Sequence, residues 1–149
     1  PESLPEALEI LRQHPDAVGS FRRITFTYAD GCQIILDGDD SMKGAPFLEG
    51  PKGKVWPKMK SDIPNLESLL AELPEPAPQQ TDFVESVKLR RAFALNEGNG
   101  FRSATIVNLG IVAMRLGRGF AFDPVTLTAV NDPAADRFIY QQMRAPWLM

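Results

Sequence analysis

From Phe21 onward the apolar residues recur at every second position. Ile24, Phe26 and Tyr28 alternate with Arg23, Thr25 and Thr27; Asp30-Gly31 follows; then Cys32, Ile34 and Leu36 alternate with Gln33 and Ile35. A period of two belongs to a β-strand, and Asp-Gly between two such runs supplies the positive-φ residues of a tight hairpin. One face of this hairpin is apolar and the other half polar, the pattern of an antiparallel sheet covered on one side. Cys32 falls in the apolar set and is expected in the core. The residues alone therefore point to an α+β domain built on a twisted antiparallel sheet.

The first residues read differently. Ser3 and Glu6 have capping-box spacing, and Leu4, Leu8 and Leu11 share a helical stripe, which predicts a helix over 4–13 ended by Pro15. His14 is expected at its solvated end. Residues 1–20 thus form an N-terminal helix and lead-in, and 21–149 a single α+β domain. Asp37-Gly38-Asp39-Asp40 clusters carboxylates, but no glutamate closes a calcium loop, so a solvated turn is expected. A second hairpin is expected over 46–57, around Gly50-Pro51-Lys52-Gly53; Gly53-Lys54 lacks the first glycine and the following hydroxyl of a phosphate-binding loop.

Asn65 to Leu73 predicts a short helix with Leu66, Leu69, Leu70 and Leu73 inward, followed by a stiff connector at Pro74, Pro76 and Pro78. Thr81 or Asp82 caps the next helix, with Phe83, Val84, Val87 and later Phe93 or Ala94 buried. Glu97-Gly98-Asn99-Gly100 is expected to break it. A longer helix then runs from about Arg102 to Leu116; it is apolar around most of its circumference, hence central, and stops at Gly117. Phe120-Ala121-Phe122 and Thr126 to Val130 read as strands around a turn. Asp132 caps a last helix through Ile139, and Arg144-Ala145-Pro146-Trp147 closes the chain in an extended segment. Residues 88–118 carry six bases and one acid, an excess that faces an anionic ligand or pairs with the acidic stretch 62–85.

What is scarce bounds the chemistry. The 149 residues include one cysteine and one histidine, Cys32 and His14, which excludes an intrachain disulfide, a cysteine-based zinc site and a histidine cluster. Apolar residues make up 44% and charged ones 23%, a globular and not a disordered composition. A net charge of −3 gives no chain-wide nucleic-acid footprint. No apolar run approaches the roughly 18 residues of a membrane span, and no signal peptide opens the chain. A soluble protein of cytoplasm or periplasm is expected; a start at Pro1 is expected of a fragment. Gly98-x-Gly100-x-x-Ser103 lacks the third glycine of the dinucleotide fingerprint and follows a helix, not a strand. No nucleophile elbow, zinc helix or Cys-x-x-Cys is present.

The order of segments carries a further signal. The hairpin 46–56, Asp82-Phe83-Val84-Glu85-Ser86-Val87, Arg102-Ser103-Ala104 through Leu116-Gly117-Arg118, Phe122-Asp123-Pro124 and the closing Arg144-Ala145-Pro146-Trp147 occur in series. That series resembles the C-terminal domain of the glucose–fructose oxidoreductase, inositol dehydrogenase and MocA family, in the bacterial branch closing on Arg-x-Pro-Trp. The resemblance runs from about residue 22 to the end. It implies an open, mostly antiparallel β-sheet with helices packed on one face, lining a substrate cleft, and a homo-oligomer built through the free sheet face (Arg23, Thr25, Thr27, Gln33, Ile35). It implies a separate N-terminal Rossmann domain that binds NAD or NADP and carries the proton-transferring lysine of a Glu-Lys-Pro segment. No cofactor is expected in this chain itself.

The branch has a histidine before Arg-Ser and later a histidine and an asparagine; here those places are held by Phe101, Asn108 and Ile111. Imidazole is the usual acid–base group near neutral pH, so no catalytic residue is assigned. Arg102 and Asn108 are the candidates to face the hydroxyls of a small sugar or polyol, and Arg144 and Trp147 are expected to dock the tail. The implied function is the substrate-binding and oligomerisation domain of an NAD(P)-dependent oxidoreductase, inactive without its Rossmann half. The alternative is a non-catalytic sugar- or protein-binding module derived from it.

Overall fold

The computed structural model describes residues 3–12, 20–74 and 80–140. His14, Pro76, Pro78 and the Arg144 to Trp147 segment lie outside them. In chain order the elements are β1 (Ala7–Leu11), β2 (Arg23–Thr27), β3 (Gln33–Asp37), β4 (Leu48–Gly50), β5 (Gly53–Trp56), β6 (Lys60–Ser61), α1 (Leu66–Ala71), α2 (Phe83–Leu89), α3 (Glu97–Leu116), β7 (Phe120–Asp123), β8 (Thr128–Ala129) and α4 (Pro133–Ile139). They divide between two units, one of residues 1–41 and 95–149, the other of residues 42–94.

The larger unit is an open five-stranded sheet in the order β3-β2-β1-β7-β8. All of its pairings are antiparallel. The expected hairpin forms in register, with Ile24 opposite Leu36 and Phe26 opposite Ile34. Its apolar alternation feeds one core: Leu8, Ile24, Phe26, Phe120 and Phe122 from the strands meet Leu109, Val112 and Ala113 from α3 and Ala135 from α4. Phe26 is 0% exposed, a burial that contributes about 1.5–3 kcal/mol. Helix α3 meets the sheet at Gly110, where a Cβ would stand 3.4 Å from Phe26 Cζ. Arg23, Thr25, Thr27, Gln33 and Ile35 share the opposite face, where they are half-buried or exposed. The α+β class, the antiparallel sheet and the helical covering of one face are as expected.

Three local expectations of this unit are corrected. Residues 7–11 form a strand, not part of a helix over 4–13. Leu8 and Ile10 pair with Phe26 and Ile24, and Leu8 also faces Phe120. A segment with strands on both sides gains hydrogen bonds along both edges, which outweighs a local helical pattern. Glu97 to Gly100 do not break a helix; they begin α3, with Asn96 accepting from the Asn99 amide at 3.0 Å. Glycine costs little in a first turn whose N–H groups have no helical partner in any case. Cys32 is exposed, because it sits at the tip of the edge hairpin, where its amide donates to Asp30 Oδ1 at 2.9 Å.

The smaller unit holds the three-stranded antiparallel sheet β4-β5-β6. The expected 46–57 hairpin is there, with Gly50 opposite Gly53. Polar contacts tie it together: Lys54 N donates to Asp62 Oδ1 at 2.6 Å, Ser61 Oγ to the Lys54 carbonyl at 2.8 Å and Trp56 Nε1 to the Gly44 carbonyl at 3.1 Å. The apolar helix faces do not bury as predicted. Helix α1 has no buried residue, and Phe83, Val84 and Val87 are exposed while Ser86 is buried. A unit of about fifty residues with helices of two turns or fewer encloses little volume.

Candidate functional site

Helix α3 supplies one wall of a cleft in the larger unit. Phe101, Thr105, Asn108, Val112 and Arg115 fall along a single stripe of it, each three or four residues after the last, and such spacing puts side chains on one helix face. Phe122 of β7, Leu127 and the end of α4, with Phe138, Ile139 and Tyr140, form the opposite side. The cleft volume is about 410 Å³, within the range of small-molecule sites.

The second wall is fixed by three aspartates. Asp123 shapes the β7–β8 turn: its carboxylate accepts from the Val125 amide at 2.8 Å and the Thr126 hydroxyl at 2.7 Å. That turn places Leu127, in the left-handed region at φ 59°, against the cleft. Hydrogen bonding from Thr126 and then from the Val125 amide holds the Asp123 carboxyl below the usual carboxylate range. Asp132 caps α4 by accepting from the Ala135 amide at 3.2 Å, and the Arg118 guanidinium grips it at 2.5 and 2.9 Å. The Arg118 hydrogen bonds push the Asp132 pKa down to about 2. Asp136 on α4 accepts from the Ala129 amide at 2.7 Å, joining the helix to β8. The far end of α3 is held by Gly117, whose φ of 66° suits glycine; its carbonyl accepts from Arg12 Nε at 2.8 Å.

Of the residues singled out from sequence, Asn108 lines the cleft, together with Phe101 and Ile111. Arg102 is placed on the first turns of α3, half-buried, donating to Asn99 Oδ1, and is not among the lining residues. Sequence reasoning missed Thr105, Arg115 and Tyr140. The stripe 101-105-108-112-115 was present as a period but was obscured by a helix apolar on most sides. The polar side chains among the lining residues are those of Thr105, Asn108, Arg115 and Tyr140, the last with its hydroxyl donating to the Thr126 and Leu127 carbonyls. No carboxylate, imidazole or thiol lies among the described lining residues. Such a wall offers hydrogen-bonding groups and one positive charge.

A family model for the C-terminal α/β domain of an oxidoreductase family matches residues 3–149. The chain belongs to the Gfo/Idh/MocA oxidoreductase family. Comparison with curated proteins and with solved structures gave no match. Gfo/Idh/MocA proteins are usually NAD(P)-dependent as whole proteins. The described residues here do not fit a dinucleotide. Gly98 and Gly100 lie in the first turns of α3 behind an Asn96 cap, not at the end of a parallel strand, and a parallel strand feeding a glycine turn is what a pyrophosphate cradle requires. Among the described residues there is also no metal-holding group of histidine, cysteine, aspartate and glutamate, and no helix is long and apolar enough to cross a membrane.

Proposed function

We propose that this chain is the substrate-binding and oligomerisation domain of an NAD(P)-dependent oxidoreductase acting on a sugar or polyol. The observation that carries this reading is the α3–α4 cleft inside a Gfo/Idh/MocA C-terminal domain, lined by Asn108 and Thr105 with Phe101 on the same helix and Phe138 on α4. An amide, a hydroxyl and aromatic rings in one cleft suit a polyol, whose C–H faces pack on rings while its hydroxyls are hydrogen-bonded. Hydride and proton transfer would then reside on the Rossmann portion of the parent protein. Ile35 among polar residues on the second sheet face supports that face as the assembly surface.

A titration of this chain with methyl glucoside or myo-inositol, followed by methyl NMR, tests the proposal. Shifts are expected at Ile111, Val112 and Ile139, with binding weakened about tenfold in Asn108→Ala. No saturable response to NADH is expected. Cleft methyls that ignore every polyol would overturn the reading. The absence of an imidazole or carboxylate from the described lining favours a second reading, a non-catalytic sugar- or protein-binding module. An upstream reading frame that lacks a glycine-rich turn and a Glu-Lys-Pro segment would select it.

A further inference from the structure

Resting on that reading of the cleft, we propose that its ligand is a sugar acid or related hydroxy acid, anchored by its carboxylate on Arg115. Residues 88–118 are strongly basic, and three of the six bases have local partners. Lys88 donates to Glu85, Arg102 to Asn99 and Arg118 to Asp132. Arg115 has no hydrogen bond or ion pair among the described residues, is exposed, and lines the cleft. It carries the only charge among the described lining residues. A planar guanidinium offers two parallel N–H bonds to a carboxylate, a geometry that neutral hydroxyls do not match.

Placement on the helix selects the kind of anion. Arg115 lies in the last turn of α3, where the backbone carbonyls carry partial negative charge. One guanidinium there neutralises one negative charge; a phosphate dianion would keep a surplus beside those carbonyls. Nor is there a helix N-terminus or a second cation in the lining to hold it. Side chains tilt toward the N-terminus of their helix, so the Arg115 stem leans back along the wall that carries Asn108 two turns earlier. The carboxylate then sits at the Arg115 end, and the hydroxylated carbons run along the stripe toward Asn108 and Thr105.

The test is an NMR titration of this chain with glucuronate, methyl glucoside and glucose 6-phosphate in parallel, read at the Ile111 and Val112 methyls. Glucuronate is expected to bind at least about tenfold tighter than methyl glucoside. Arg115→Met is expected to abolish that advantage, so that glucuronate and methyl glucoside bind alike; Arg115→Lys is expected to restore only part of it. Raising salt from 50 to 300 mM is expected to weaken glucuronate alone, a check that needs no variant. Equal binding of acid and neutral sugar, with Asn108→Ala weakening both, would overturn the anchor and leave the polyol cleft standing. Tighter binding of glucose 6-phosphate than of glucuronate would replace the carboxylate with a phosphate. Silence of the cleft methyls toward all three would overturn both readings.

Discussion

The two units use the same alphabet and bury very different amounts of it. In the larger unit the apolar positions of β1, β2, β7 and α3 meet in one core, with Ile24 and Phe26 at 1% and 0% exposed. In the smaller unit Val55 is the buried apolar residue among those described, while Phe83 and Val87 stand 64% and 60% exposed on α2. Both units contain amphipathic segments with proper caps: Asp82 accepts from the Glu85 amide at 3.0 Å, much as Asp132 does for α4. Capping thus marks where α2 and α4 begin. Burial is decided by whether a facing surface exists, which a local pattern does not encode.

The sharpest way to break this contrast is to truncate matched positions. Phe26→Ala should cost about 3–5 kcal/mol in chemical denaturation, since it empties the centre of a packed core. Val84→Ala should change stability by less than about 0.5 kcal/mol, as exposed positions do. Similar costs at the two sites would show that the smaller unit is as tightly built as the larger.

A smaller effect is expected where α3 approaches the sheet. Gly110→Leu should cost about 1–3 kcal/mol through overpacking against Phe26 and Ile24. Gly110→Ala places its methyl at ordinary contact distance and gains about 1 kcal/mol of helix propensity, so its net effect is expected near neutral or stabilising. Thermal melts of the two variants check the sign. A destabilised alanine variant would mean that the α3–sheet spacing tolerates no contact at all.

The same contrast explains how much could be read from sequence. The β2–β3 hairpin, the 46–57 hairpin, the β7–β8 pair and the Asp132-capped α4 were legible because each is local: a turn residue and a period within about a dozen positions suffice. β1 was not, since its identity comes from β2 and β7, which lie far along the chain from one another. The Gly98 and Gly100 turn misled because helix-breaking cost depends on position within a helix. Asn108 was legible through a family resemblance. Arg115 was visible only as one base among six; the structure sets it apart as the one base among the described lining residues of the cleft.

Acid should probe the larger unit next. The Asp132 pKa is depressed to about 2 by Arg118, and that of Asp39 to about 2 by hydrogen bonds from Ser41 and Arg22. A carboxylate with a lowered folded pKa contributes stability above its ordinary value near 3.9 and loses it as pH falls toward 2. The melting temperature is therefore expected to drop between pH 4 and 2. Asp132→Asn should keep the cap but flatten part of that slope, with no change in slope above pH 5. Circular-dichroism melts across that range decide it; an unchanged acid slope in the variant would show that the Arg118 link does not couple to folding.

The smallest effects separate two neighbours on α2. Ser86 is 4% exposed, and its hydroxyl donates to the Asp82 carbonyl at 2.8 Å; Val87, the next residue, points outward. If burial and not hydropathy sets energetic weight, Ser86→Ala should cost about 1 kcal/mol, the net worth of a hydrogen bond. Val87→Ala should change stability by less than about 0.5 kcal/mol. Because one unit contains both residues, differences between units cannot account for the outcome. A larger loss at Val87 would mean that the apolar face of α2 is covered in solution, and the unit would then owe its order to a surface beyond its own strands.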